Sequence, residues 1–244
     1  MARYPLQENT RQLIAQGDKY FYSGSRLAAV RLYNQALSGE PECIYALVQR
    51  GLALQGEGRI AEAKKDFDLA INLDPKYGPA YYGRGWVRHD LKDYPGELED
   101  ARKGYQLEPG NPGGYLRRMG AAQEGLRRFE EAVEAYTKAI QLNLRDKASL
   151  YNRANCCIEL GDFARALDDL NRALELDPKW VEALSSRAYV FEKTGRFKEA
   201  LRGYMLALKY NPKYRPAITG RERVKAIRAR QGLGGFIWRL LGKK

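Results

Sequence analysis

The sequence predicts an all-α solenoid, six helical hairpins in series closed by a C-terminal helix, and three observations carry that reading. The first is the stretch from Lys147 to Pro178, KASLYNRANCCIELGDFARALDDLNRALELDP, where two apolar-periodic segments flank the turn Leu160-Gly161-Asp162. Leu150, Arg153, Ala154 and Cys157 recur at i, i+3, i+4 and i+7, and Phe163, Ala166, Leu167, Leu170, Ala173 and Leu174 do the same beyond the turn. Gly161 offers the positive φ that ends the first helix, and Pro178 punctuates the end of the second. The second observation is recurrence. The unit restarts at Thr10, Ile44, Gly78, Gly113, Lys147 and Val181, every 34 residues with one extra residue before Gly113. The third is that equivalent positions keep the same kind of residue. Position 8 is Gly17, Gly51, Gly85, Gly120, Ala154 and Ala188, and position 27 is Ala or Gly throughout, from Ala36 to Ala207. Position 20 is Ala except at Glu97, and position 24 is bulky (Tyr33, Phe67, Tyr136, Leu170, Tyr204) except at Ala101. One hairpin cannot bury its own apolar face, whereas stacked copies can.

In order along the chain, residues 1–9 form a short arm and residues 10–43 the first hairpin, with Leu13, Gly17, Tyr20 and the turn Ser23-Gly24-Ser25. Residues 44–77 are regular. Residues 78–112 look degenerate, with Arg84 and Arg88 at normally apolar positions, Gly104 in place of Ala, and Pro95 in a first turn that tolerates it. The weak packing residues and the insertion in Glu108-Pro-Gly-Asn-Pro-Gly-Gly114 predict either a flexible joint or simply a longer turn. Hairpins at 113–146, 147–180 and 181–212 follow. A basic helix over 213–231 presents Ala217, Gly220, Val224 and Ile227 on one stripe, suited to cap the sixth hairpin, with Arg221, Arg223, Lys225, Arg228 and Arg230 facing outward. Gly232, Gly234 and Gly235 are expected to break the chain before a short amphipathic tail over 232–244.

These positional preferences resemble the tetratricopeptide repeat family over residues 10–212. The resemblance implies a right-handed superhelix of antiparallel hairpins, and for function it implies a binding scaffold rather than one particular partner. In that family the first helix of each repeat lines a concave surface through positions 2, 5, 6, 9, 12 and 13. Carried onto this chain, the groove would show Ile14, Phe21, Tyr22, Tyr45, Val48, Leu52, Tyr82, Trp86 and His89, then a polar half with Arg117, Arg118, Tyr151, Asn152, Asn155, Ser185, Ser186 and Tyr189. Aromatic anchors in a concave site suit a helical or extended apolar segment of a partner polypeptide. Two alternatives are that they pack on the 1–9 arm or merely line the wall. One co-chaperone branch of the family grips a C-terminal carboxylate with Lys, Asn, Asn, Lys and Arg. The matching positions here are Arg117, Ala121, Asn152, Glu182 and Ser186, and Glu182 reverses a needed charge.

Composition excludes other classes. With 244 residues, 44% apolar and 30% charged, the chain reads as an amphipathic helical protein, without a signal-like N-terminus or an apolar run of spanning length. Three cysteines make no disulfide framework, so reduced thiols and a cytoplasmic setting are expected. The single histidine, His89, has no metal-ligand spacing around it, Gly83-Arg84-Gly85 falls inside a helix rather than a phosphate loop, and Asp168-Asp169 reads as a solvated face. No catalytic residue, cofactor or metal is therefore assigned. The charge of +12 is uneven: residues 213–244 hold ten Lys/Arg, including Arg239, Lys243 and Lys244, against Glu222 alone, leaving only +3 for the rest. Leu233, Phe236, Ile237, Leu240 and Leu241 fall on one helical face of the tail, which suits attachment to the inner face of an anionic membrane. The same stripe would also suit docking on its own array or on a second copy. Nucleic acid would need only phosphate contacts from residues 213–230, but no base-reading motif or stacking platform supports it.

Overall fold

In a computed structural model, the backbone is described for residues 7–241 and the side chains for residues 7–230. Among the described residues there are thirteen α-helices and no strand. Twelve form hairpins: α1 (Glu8–Tyr22) with α2 (Arg26–Gly39), α3 (Ile44–Gly56) with α4 (Ile60–Leu73), α5 (Gly78–Asp90) with α6 (Tyr94–Leu107), α7 (Gly113–Gly125) with α8 (Phe129–Leu142), α9 (Lys147–Glu159) with α10 (Phe163–Leu176), and α11 (Val181–Lys193) with α12 (Phe197–Tyr210). The last, α13, runs from Arg215 to Leu241. Every hairpin turns through a left-handed residue at repeat position 15. That residue is Gly24, Gly58, Gly161 and Gly195 in four hairpins, with φ between 75° and 85°. In the third and fourth it is Lys92 (φ 60°) and Arg127 (φ 59°), residues with a Cβ where glycine would be relaxed.

The small residue at position 8 makes room for the ring at position 24. A Cβ on Gly17 would sit 2.6 Å from the Tyr33 ring, and one on Gly51 would sit 2.8 Å from Phe67. Gly85 departs from this expectation. Its Cβ would meet nothing nearer than Asp100 Cβ at 4.0 Å, because Ala101 leaves the ring out of that hairpin. The compensation is polar. Arg84 Nε and Nη2 donate to Asp100 (2.9 and 2.7 Å) while Nη1 reaches back to Asp68 (2.9 Å). Arg88 adds an ion pair to Asp100 at 3.1 Å and a hydrogen bond to the Gly96 carbonyl. The third hairpin is thus not weakly packed, as its arginines suggested.

The same arrangement recurs with the repeat. Arg50 grips Asp66 with two nitrogens and Asn34 with the third, and Arg153 does so with Asp169 and Thr137. Arg187 keeps only the backward bond, to Asn171 at 2.9 Å. Position 7 therefore donates to position 23 of its own hairpin and position 25 of the one before. Asp169 is fully buried in this ladder, which corrects the reading of Asp168-Asp169 as a solvated face; only Asp168 is exposed. Removing one partner of such a pair strands a charge and costs about 3–5 kcal/mol.

The chain divides into two compact units, Met1–Ala135 and Tyr136–Lys244, the boundary falling inside α8. The first has an apolar core running from Ile14 and Tyr33 through Leu47, Phe67 and Ile71 to Val87. The insertion before α7 lies within this unit; Pro109, Gly110 and Asn111 are exposed, while its flanks are tied together. Tyr115 is buried, donates to Glu108 Oε2 at 2.7 Å, and its ring occupies the space that a Cβ on Gly104 would need. The second unit packs Leu150, Leu170, Leu174, Leu184 and Tyr204 in its interior and ends in α13. There Ala217, Gly220 and Val224 are buried and Ile227 is half-buried, the stripe that the sequence offered for capping. Arg223 is exposed, as expected, but it is not free. It donates to both oxygens of Glu192, which also accepts from Tyr204 Oη at 2.8 Å. The expected break at Gly232, Gly234 and Gly235 does not occur, and the α13 backbone stays helical to Leu241. Glycine costs about 1 kcal/mol in a helix interior but does not forbid one. The apolar tail face and Arg239, Lys243 and Lys244 lie outside the described side chains.

Candidate functional site

The predicted groove residues separate into two groups. Ile14 and Val48 are buried in the apolar core and offer nothing to a partner. Leu52 and Phe21 are half-buried against the same core. Arg118 is buried too, with its guanidinium 3.7 Å above the centre of the Trp86 ring and Nη1 3.0 Å from Glu97 Oε1. Tyr22 (78% exposed) and Tyr45 (38%) remain open, with Tyr82, Trp86, His89 and Arg117 half-buried.

Side-chain contacts tie these aromatics together between α1 and α3 and again between α5 and α7. Asp18 on α1 accepts from Tyr45 Oη of α3 at 2.9 Å and from Tyr33 Oη at 2.7 Å. Burial and that carboxylate together push the Tyr45 hydroxyl well above the ordinary phenol range, so it stays a neutral donor. On α5, Tyr82 meets Trp86 edge-on at 6.4 Å and Tyr115 of α7 edge-on at 5.6 Å. A close approach at Gly114 permits this, since a Cβ there would stand 3.2 Å from Tyr82. Phe21 and Tyr22 pair edge-on at the other end. The rings on this face therefore form two groups, one on α1 and α3 and one on α5 and α7, rather than standing isolated.

Glu97 was not assigned a role from sequence. It is fully buried, accepts contact from Arg118 on one oxygen, and lies 2.9 Å from His89 Nδ1 through the other. The signal was present, because a carboxylate at a position otherwise held by Ala must carry its partners with it. Those partners lie on α5 and α7, and one helix's periodicity cannot name them. Trp86 is thus held from one side by Arg118 and is part structure, part surface.

The second unit's face is polar. Tyr151 stacks at 4.8 Å on Trp180, over which Lys147 Nζ sits at 5.3 Å. Asn155 Oδ1 and Ser186 Oγ are 3.4 Å apart, Asn152 and Tyr189 are half-buried, and Ser185 is buried. Among the clamp-equivalent positions, Ala121 is buried and apolar and Glu182 is exposed. On α13, Lys225, Arg228 and Arg230 are exposed, while Arg221 pairs with Glu222 at 2.9 Å. Among the described residues no group of three His, Cys, Asp or Glu side chains is placed to hold a metal ion, and no helix is long and apolar enough to cross a membrane. All three cysteines are free and buried, and burial pushes the Cys157 thiol up to about 11.

Family profiles described as tetratricopeptide repeat match residues 148–179, and also 44–77 and 118–146. A heat-shock protein cognate co-chaperone, sgt12, of Aspergillus fumigatus is 38% identical over 104 residues, which is 43% of this chain and 30% of that protein. The chain spans about a fifth to a third of the length of such curated relatives. Among solved structures, the Cut9–Hcn1 assembly of the APC/C matches with a TM-score of 0.82 at 19% identity, over 91% of this chain and 44% of that one. The pilus biogenesis factor PilW matches at 0.80 and 13% identity, over 87% and 98%. These likenesses carry the fold alone. Together with a 34-residue unit restarting six times and folding each time as a hairpin, they place this chain in the tetratricopeptide repeat family.

Proposed function

We propose that the protein is a non-enzymatic adaptor that binds a partner polypeptide on the first-helix face of residues 8–125. One observation carries this reading: Tyr22, Tyr45, Tyr82 and Trp86 keep accessible aromatic surface on that face while the apolar core lies elsewhere. Rings held by neighbours bind at low entropic cost, and such anchors supply most of the energy of a peptide contact. The co-chaperone relative supports the class of partner, a protein, without naming it. The test is a variant with Tyr22→Ala, Tyr45→Ala and Tyr82→Ala, none of them in the buried Arg118–Glu97 group. Quantitative affinity purification should lose its specific partners while circular dichroism stays unchanged. Recovery of the same proteins by both forms rejects the aromatic face.

A second reading, an assembly factor attached to a membrane surface, rests on α13. Its backbone continues helical through Leu241, so the apolar residues between 233 and 241 share one helical register beyond the exposed cations. Phe236→Asp with Leu240→Asp should abolish co-sedimentation with anionic liposomes. Wild-type protein that ignores such liposomes at low salt ends this reading.

A further inference from the structure

The arginine ladder stops at one place, and a cleft opens there. In the second, third, fifth and sixth hairpins position 7 is Arg50, Arg84, Arg153 and Arg187, each bonded backward to Asn34, Asp68, Thr137 and Asn171 at position 25. In the fourth hairpin position 7 is Met119, and the residue that would receive its bond, at position 25 of the third, is Arg102. A cation thus occupies the site of an acceptor. Beside it an open cleft of about 670 Å³ runs along α6, within the size range of ligand sites.

Ile71, Tyr81, Leu98 and Leu126 supply its apolar wall, and Arg102, Lys103 and Arg128 supply exposed cations. The carboxylates in the same wall are already engaged: Asp100 by Arg84 and Arg88, and Glu99 by Arg88 at 3.7 Å. Arg102, Lys103 and Arg128 have no carboxylate within ion-pair distance among the described residues. Charge complementarity therefore asks for an anion, and the wall asks for an apolar side chain next to it. We infer that this cleft, on the opposite helix of the hairpin from the aromatic face, is a second docking site, and that its occupant is an acidic peptide segment of a protein partner. A partner carboxylate would take Arg102 as its donor, the reverse of the polarity that position 25 has in the other hairpins.

The test uses the full chain, ¹⁵N-labelled, and two capped pentapeptide probes, acetyl-Glu-Leu-Glu-Phe-Glu-amide and its Lys-Leu-Lys-Phe-Lys counterpart. The acidic peptide should shift the amides of Leu98, Lys103 and Leu126 saturably, more weakly as salt rises. The basic peptide should leave them in place. Arg102→Glu with Lys103→Glu and Arg128→Glu should weaken the acidic peptide about tenfold or more, equivalent to about 1.4 kcal/mol. The corresponding Gln variants carry the test should the reversed charges disturb the fold. The Tyr22→Ala/Tyr45→Ala/Tyr82→Ala variant should bind the peptide as wild type does, so that failure of the aromatic face and failure of this cleft are told apart. No shift at millimolar acidic peptide overturns the inference. So do equal responses to both peptides, an unchanged affinity in the Glu and Gln variants, or saturable binding at these amides by octathymidylate in place of the peptide.

Discussion

Lys92 and Arg127 hold a backbone conformation that four of the six hairpins give to glycine. A left-handed non-glycine residue costs about 1–2 kcal/mol, and glycine's looser unfolded chain returns about 0.4–1 of that. Lys92→Gly should therefore stabilise the protein by roughly 0.5–1 kcal/mol. Arg127→Gly should gain less, because the guanidinium also lies 5.3 Å over the Phe129 ring. Chemical denaturation of each variant measures this, and a loss of stability for Lys92→Gly would show that its side chain outweighs the strain. At this scale the sequence was legible where the requirement was a backbone shape or a close steric fit. Gly17 beside Tyr33 and Gly161 in its turn are such cases. It was illegible for Arg84, Asp169 and Glu97, whose polarity is answered from an adjacent helix that a 3.6-residue period does not reveal.

At the scale of the helix, α13 shows what patterning does and does not carry. Ala217, Gly220, Val224 and Ile227 announce a docking stripe, and the stripe docks. Arg223 falls outside it on the helical wheel, yet Glu192 of α11 captures it, and the Tyr204 hydroxyl joins the same carboxylate. Gly220 is required because the Tyr204 ring fills the place of its Cβ. Gly220→Val should therefore lift α13 from the second unit, at about 1–3 kcal/mol for overpacking a close contact. Hydrogen exchange should then quicken across residues 215–227 while α9 keeps its protection. Equal protection in the variant and wild type would mean that the ring moves aside without cost. Arg223→Ala should act in the same direction and leave Glu192, nearly buried, without its cation.

Across the molecule, the 34-residue period anticipates first helices that begin at Ile44, Gly78, Gly113, Lys147 and Val181, whereas it gives no sign of the division near Ala135. The insertion at 108–114 left a joint or simply a longer turn open there, and Tyr115 donates to Glu108 across it within the first unit. What changes toward the boundary is the ladder, since the fourth hairpin has Met119 and Ala135 at the positions that hold Arg and Asp in the second, third and fifth. In an array stabilised mainly by nearest-neighbour contacts, a local perturbation should fade with distance along the chain. Trp86 and Trp180 report on the two units separately, each stacked on its own partners, Arg118 for one and Tyr151 for the other. Trp180→Phe with Trp238→Phe leaves Trp86 as reporter, and Trp86→Phe with Trp238→Phe leaves Trp180. Into each background Gly51→Leu places a bulky side chain where the Phe67 ring allows a Cβ no more than 2.8 Å, a cost of about 1–3 kcal/mol. Urea unfolding followed by fluorescence should then show the Trp86 transition moving to lower denaturant while the Trp180 transition moves much less. Equal shifts at both reporters would mean that the two units unfold as one, with coupling through α8 stronger than the nearest-neighbour picture allows.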